Sequence, residues 1–540
     1  MHSGCSSSST LWGNRSVAPD TVPKQSRRFT RGLRIGLYAL ANLAYIALAV
    51  YGTDASDAPA ARAVYLVALF ALCSSPLLLL EAFNDRYVLL GIFMGMYFIN
   101  YGAADYLALL SGGPLSTPSS SVTGAEYGII VGAALAICGY LLAAAGVSRA
   151  SDDALTGGDW PGGTILLVGL VTCVSGMGAY AYFHLVAVTV NTNQASTNAF
   201  TEMGPALTFI VMLGHLVRPL GLLILAYGYA RFRGLPWYML ILAVLLLHLV
   251  LGFLGDTKGL PLQAGMLVIL TLVLVDNRLP RGWILGATVA VALAFPVFQA
   301  YRAEVVGERG MNRAQATQDI GKALDLALAA KERVNNGKER AQTLFERAST
   351  KGNVELIFEH AGVDAPYQNG RTLVELVLAF VPRMIWPDKP SVATGQVFNK
   401  ELVRGIGDTY ISPSHLGELY WNFGWPGLTC GMTLIGMLLG YIGARTSLAE
   451  RTSATRLLIL LATVATACLQ FEASVSVTYV VWIRSLAAIG LLHLLCNRPA
   501  VPAPAGSAAA PAAAIGTQVA ANTAVAVVAP ALPRFPNMMS

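Results

Sequence analysis

Apolar runs of membrane-spanning length, set apart by short polar breaks, dominate this chain. Several reach the roughly 20 residues that a helix needs to cross a bilayer. The composition agrees. Of 540 residues, 55% are hydrophobic and 12% charged, where a soluble domain carries about 25% charged residues. The chain therefore reads as an all-α polytopic membrane protein with about twelve transmembrane helices. Their limits are near 33–51, 63–83, 87–110, 126–147, 164–187, 205–229, 236–254, 260–275, 283–300, 424–443, 457–474 and 478–496. The net charge of +6 is dispersed, so no nucleic-acid partner is indicated, and membrane topology accounts better for the cations in short loops.

Arginine and lysine set an alternation. The N-terminal tail carries Lys24, Arg27, Arg28, Arg31 and Arg34, and every second loop after it is basic: Arg86, Arg149, Arg231 with Arg233, Arg278 with Arg281, then Arg445, Arg451 and Arg456. The intervening short loops (52–61, 111–125, 188–204, 471–477) have no Lys or Arg, and only Lys258 departs from the pattern. By the positive-inside rule both termini are expected in the cytoplasm and the long 301–413 stretch outside.

The expected organisation is a polar tail (1–32), helices 1–9 (33–300), a large external loop (301–423), helices 10–12 (424–498) and an Ala/Pro-rich tail (499–540). Both tails read as disordered and cytoplasmic. Six cysteines lie in apolar runs and read as packing residues. Cys5 follows no apolar segment, so no cleaved signal is expected. Gly91 with Gly95, and Gly436 with Gly440, have the spacing of small-residue packing surfaces.

Two parts of the large loop differ. Residues 312–360 lack proline and repeat apolar residues at helical spacing, which predicts one or two amphipathic helices on the membrane surface. Leu373 to Trp386 is apolar but too short to cross, and suits a re-entrant or interfacial segment. It runs through Pro382-Arg383 into Trp386-Pro387-Asp388-Lys389-Pro390, where the prolines stiffen the backbone. Arg383 and Lys389 then sit at phosphate depth, either to bind a phosphate or simply to snorkel to headgroups.

Within the spans, Arg218 lies in HLVRPLG, with His215 one turn away and Pro219 next to it. Arg484 is a second intramembrane cation, and Arg302 ends the ninth span. Intramembrane charge marks a functional site by default; the alternative is pairing with an acid such as Glu418 or Glu472. His415 and Glu418 share one helical face before span ten, and either is an ordinary general base. Two bland roles compete, an interfacial hydrogen bond for His415 and a helix-dipole partner for Glu418. No sequence motif for a metal is present.

PRMIWPDKP, followed by SHLGELYWNFGWPGL, resembles the oligosaccharide repeat-unit polymerases, the O-antigen polymerase family. His415 with Gly424 and Gly427 is also similar to the related O-antigen ligases, although Leu416 stands where a polar residue is expected. The resemblance covers about residues 300–440. It implies a GT-C-like fold in the bacterial inner membrane. It also implies metal-independent, inverting transfer, without cofactor, between undecaprenyl-diphosphate-linked oligosaccharides, alongside a flippase and a chain-length regulator of the same pathway. In that setting Arg302, Arg383 and Lys389 are expected to bind the diphosphate and Arg218 to line a deeper lipid-phosphate cavity, with Arg484 and His215 as further candidates. His415 or Glu418 is expected to act on the acceptor hydroxyl. The competing functions are O-antigen ligase, a GT-C lipid-sugar glycosyltransferase using Asp54 or Asp57 with a metal, and a glycolipid exporter or flippase.

Overall fold

The computed structural model describes residues 28–56, 60–111, 122–147, 160–182, 205–254, 259–302, 349–378, 381, 385–386, 394–403, 411–448 and 453–496. The two tails, the amphipathic helices expected before residue 349, Arg383 and Lys389 lie outside these residues.

Among the described residues the fold is helical, and its only β feature is an isolated bridge between Ala361 and Ala365. The main helices are α1 (Arg31–Ser56), α2 (Ala60–Ser74), α3 (Val88–Tyr101), α4 (Ala103–Ser111), α5 (Gly124–Gly146), α6 (Gly162–Tyr182) and α7 (Pro205–Phe232). They continue with α8 (Leu235–Leu254), α9 (Gly259–Asp276), α10 (Arg281–Arg302), α11 (Lys351–His360), α12 (Ser414–Arg445), α13 (Ala454–Thr463) and α14 (Val475–Cys496). Each of the expected apolar runs is a helix or a helix pair. Among the described residues, seven helices are long and apolar enough to cross a membrane, or eight if α3 and α4, bent by 53°, form one span. Their outward faces carry large apolar side chains such as Leu40, Leu142, Leu167 and Leu246, a surface that lipid, not water, accommodates. The chain is thus an all-α, multi-pass membrane protein.

The two ends of the bundle hold different loops. At one end the N-terminal segment meets the basic loops: the Phe29 N–H donates to the Glu81 carbonyl (2.7 Å) and the Leu448 N–H to that of Asn84 (3.1 Å). Arg86 Nη1 donates to Ala144 O (3.1 Å), and the Phe83 N–H to Asn277 Oδ1 (2.8 Å). At the other end, residues beside the expected cation-free loops gather around Lys351. Its ammonium contacts the carboxylates of Asp105, Glu126 (2.8 Å) and Glu355 (3.4 Å), and lies 5.1 Å from the Tyr65 ring centroid. Arg62 pairs with Glu126 in the same cluster. All five charged side chains are buried. Charges in a low-dielectric site persist only when paired, so this cluster ties α2, α4, α5 and α11 together.

This corrects the expectation of a surface helix for the last part of residues 312–360. Helix α11 is wedged into the bundle. Phe358 stacks on Tyr420 at 3.7 Å, and Val354 and Ile357 are fully buried. The break before α4 makes room for it. There the Asn100 carbonyl accepts the Thr350 N–H (3.1 Å) and the Ser349 hydroxyl (3.0 Å), while Tyr65 donates to the Tyr101 carbonyl (3.1 Å). Carbonyls released by a helix break inside a bundle need such partners.

The same rule explains the kink in α12, which begins at Ser414, ahead of the span expected from 424. Gly424 has φ +63°, and Pro426 lacks the N–H that would reach Asn422. The Trp421 and Asn422 carbonyls instead accept the N–H groups of Gln368 and Asn369, each at 3.0 Å. The short turn after α11 is therefore bonded to the kink.

Helices α5 and α12 approach through glycine. A Cβ on Gly436 would lie 2.1 Å from the Ala136 carbonyl oxygen, and one on Gly440 2.3 Å from that of Tyr140. Gly436→Val should therefore push the helices apart and cost on the order of 1–3 kcal/mol, read as an earlier midpoint of SDS-induced unfolding in mixed micelles. Among the described residues Gly91 and Gly95 form no such surface, because their Cβ positions meet at most Pro76 Cβ at 4.0 Å. Cys138 and Cys430 also depart from expectation, being exposed on the outward faces of α5 and α12, whereas Cys73, Cys173, Cys468 and Cys496 are buried.

Candidate functional site

Arg218 sits on α7 where α6 comes close, because a Cβ on Gly176 would fall 2.5 Å from Arg218 Cα. The side chain is 9% exposed, and its guanidinium carbon lies 4.9 Å from the Tyr180 ring centroid. Nε and Nη1 have no hydrogen-bond partner, and no acid pairs with Arg218 among the described residues. A buried cation with bare donors is costly unless something anionic or aqueous meets it.

What it faces is a cavity of about 70 Å³ between α7, α9, α13 and α14. Gln263, Thr466, Gln470 and Ser485 supply its other polar lining. Three of these are engaged with backbone carbonyls: Gln263 Nε2 to Ala465 (3.2 Å), Thr466 Oγ1 to Ala462 (2.7 Å) and Ser485 Oγ to Val481 (2.8 Å). Thr466 belongs to a π-helical turn, Val464–Cys468, that extends α13. Such turns shift side chains out of register and recur at functional sites.

Across the Gln470–Phe471 peptide lies the second element. Ser414, at φ +63°, leads into α12, and its Oγ accepts the Tyr101 hydroxyl at 2.9 Å. His415 is fully buried, and neither Nδ1 nor Nε2 has a partner. Its ring meets Phe471 edge-on at 4.9 Å and Tyr479 at 5.7 Å. Glu418 faces the same segment, as the three-residue spacing predicts, but it is committed. It accepts the Val475 N–H (2.5 Å) and the Ser476 hydroxyl (3.3 Å) at the head of α14, where the helix dipole favours a carboxylate. The dipole role is thus real for Glu418, on α14 instead of its own helix. Glu418 is not ion-paired to an intramembrane cation among the described residues.

The structure brings Arg218 and His415 to opposite sides of one peptide, since Gln470 lines the Arg218 cavity and Phe471 covers His415. Arg484 is on α14, half-buried, and does not line the cavity. His215 and Arg302 are on helices α7 and α10, with side chains outside the described residues, as are those of Asp54 and Asp57. Gly424 and Gly427 are explained by the fold: one makes the kink, and a Cβ on the other would lie 2.3 Å from the Leu419 carbonyl oxygen.

Sequence reasoning missed the cavity's neutral residues, because Gln, Thr and Ser scattered in apolar helices carry no periodic signal. It also passed over Asp105 and Glu126, two acids in apolar surroundings that deserved the weight given to Arg218.

Phe471 shields His415, so Phe471→Ala should raise the rate at which diethyl pyrocarbonate labels His415 by about tenfold or more, read by peptide mass spectrometry, while Phe471→Leu should leave it protected. Burial of the ring in an apolar shell is what withholds it from the reagent.

Comparisons with protein-family models, with curated proteins and with solved structures find no match to this chain.

Proposed function

We propose that this chain polymerises oligosaccharide repeat units carried on a polyprenyl (undecaprenyl) diphosphate at the outer face of a bacterial inner membrane. One observation carries the lipid-phosphate part of the reading: Arg218, nine-tenths buried in the bundle with unpaired donors, opens on a mostly apolar cavity where a phosphate borne on a lipid would complete its bonds. The resemblance of PRMIWPDKP and SHLGELYWNFGWPGL to the polymerase family supports the diphosphate and the glycan.

In the proposed reaction an acceptor hydroxyl oxygen attacks the anomeric carbon of the donor glycan. The bond from that carbon to the diphosphate oxygen breaks with inversion, and the electron pair leaves on the diphosphate. Arg302, Arg383 and Lys389 meet that developing charge, as fixed cations do for departing phosphates. The acceptor proton passes to a ring nitrogen of His415, whose two nitrogens are uncommitted. Glu418 is a positioning residue here, because it holds the start of α14 against α12. Substrate reaches His415 when Phe471 turns aside. About twelve spans, a GT-C-like arrangement and cytoplasmic termini belong to this proposal.

A chromosomal deletion tests it. The expected result is loss of long polymer, with single lipid-linked repeats accumulating on the outer side of the membrane and polymer restored by a plasmid copy. Repeats trapped on the cytoplasmic side would instead identify an exporter, and unchanged polymer would sink the assignment.

A further inference from the structure

We propose that the Arg218 cavity is a site for a single phosphate group, the monoanionic head of a lipid phosphate, and is separate from the cations that meet the donor diphosphate. This rests on the reading of Arg218 as a phosphate ligand given above, and it narrows the ligand by charge and setting.

Charge comes first. Arg218 is the one cation among the described residues lining the cavity. Gln263, Thr466 and Ser485 have already donated to the Ala465, Ala462 and Val481 carbonyls. The guanidinium alone therefore offers unspent N–H donors with charge, at Nε and Nη1. One fixed positive charge balances one negative charge. A diphosphate would bring a second charge into the bundle with no second cation among the described lining residues to neutralise it, which burial penalises strongly.

The cavity, of about 70 Å³, exceeds the roughly 10–15 Å³ that one water needs, so there is room beside the guanidinium for a polar ligand.

The setting selects the source. The remaining lining is apolar, including Leu216, Leu220, Leu223 and Val481, and among the helices around it α14 is long and apolar enough to cross a membrane, with the shorter apolar helices α9 and α13 beside it. An anion that arrives on a hydrocarbon chain keeps that chain in apolar contact, whereas free phosphate must be stripped of water without such compensation.

The test uses the purified full-length protein in a maltoside detergent free of phospholipid. It is held at pH 5.5, below the second ionisation of a phosphate ester near about 6. Thermal midpoints are followed by tryptophan fluorescence against dodecyl phosphate, with dodecanol as the chain control. Dodecyl phosphate should give a saturable rise, with apparent affinity at least tenfold weaker in Arg218→Gln and intermediate in Arg218→Lys. Dodecyl diphosphate, added in competition to the wild type, should displace it only at tenfold or higher excess, an arm that needs no variant. Equal shifts in wild type and Arg218→Gln, or tighter binding of the diphosphate, would overturn the proposal. Saturation by inorganic phosphate at the same concentration would overturn its lipid part. No sugar is present, so binding that persists in a chain that makes no polymer separates this site from the proposed reaction.

Discussion

Lys351→Met lowers the stability of the bundle by about 3–5 kcal/mol, the usual cost of removing one partner from a buried ion pair. The expectation follows from position. The Lys351 ammonium is 1% exposed and contacts Asp105, Glu126 and Glu355. Without it, three buried carboxylates lose a shared ammonium, and α11 loses its anchor to α4 and α5. The midpoint of SDS-induced unfolding in mixed micelles checks it. Removing the Lys351–Asp105 pair together gives a sharper result. Lys351→Met with Asp105→Asn should recover much of the loss, since Arg62 and Glu126 remain as a matched pair. If the double variant is as unstable as the sum of its parts, the cluster is not a coupled unit.

Arg218→Ala carries the largest functional effect. In cells it should leave the protein inserted at wild-type abundance while polymer output falls by about 10–10², the scale of losing a charge-assisted hydrogen bond to a bound lipid phosphate. Arg218→Lys keeps a charge but not the planar guanidinium and should recover part of the output. Chain-length profiles on gels, read beside membrane abundance by blotting, decide it. Normal output and chain length in Arg218→Ala remove the Arg218 cavity from polymer formation. Because the buried guanidinium makes no ion pair with a described acid, its loss breaks no salt bridge among those residues. A selective loss of polymer would therefore be hard to ascribe to misfolding.

The helices were legible in the sequence because span length and apolarity are local properties, as in Gly124–Gly146 and Val475–Cys496. The loop alternation was legible for the same reason. The basic segments do meet at one end, through contacts such as Phe29 with Glu81 and Arg86 with Ala144. The candidate site was readable only in part. Arg218 stood out as a charge in an apolar run, and His415 with Glu418 by spacing. That Glu418 is spent on α14 while both His415 nitrogens are bare could not be read from spacing, since their partners lie 57 residues away or are missing. The placement of α11 was misjudged because a charged, amphipathic stretch suits a membrane surface, and nothing local announces that Lys351 finds acids 246 and 225 residues upstream.

Hydrophobicity along the chain was enough to make this a bundle of helices in lipid and to sort its loops into two sets, since both follow from transfer of nearby residues out of water. Which charges neutralise one another, which stay bare, and where a cavity opens emerged only when distant helices packed, as Lys351 with Glu126 and Arg218 opposite Gln470 illustrate. The energy of a buried charge depends on what stands within a few ångströms of it, and that neighbourhood is assembled from segments the chain keeps far apart.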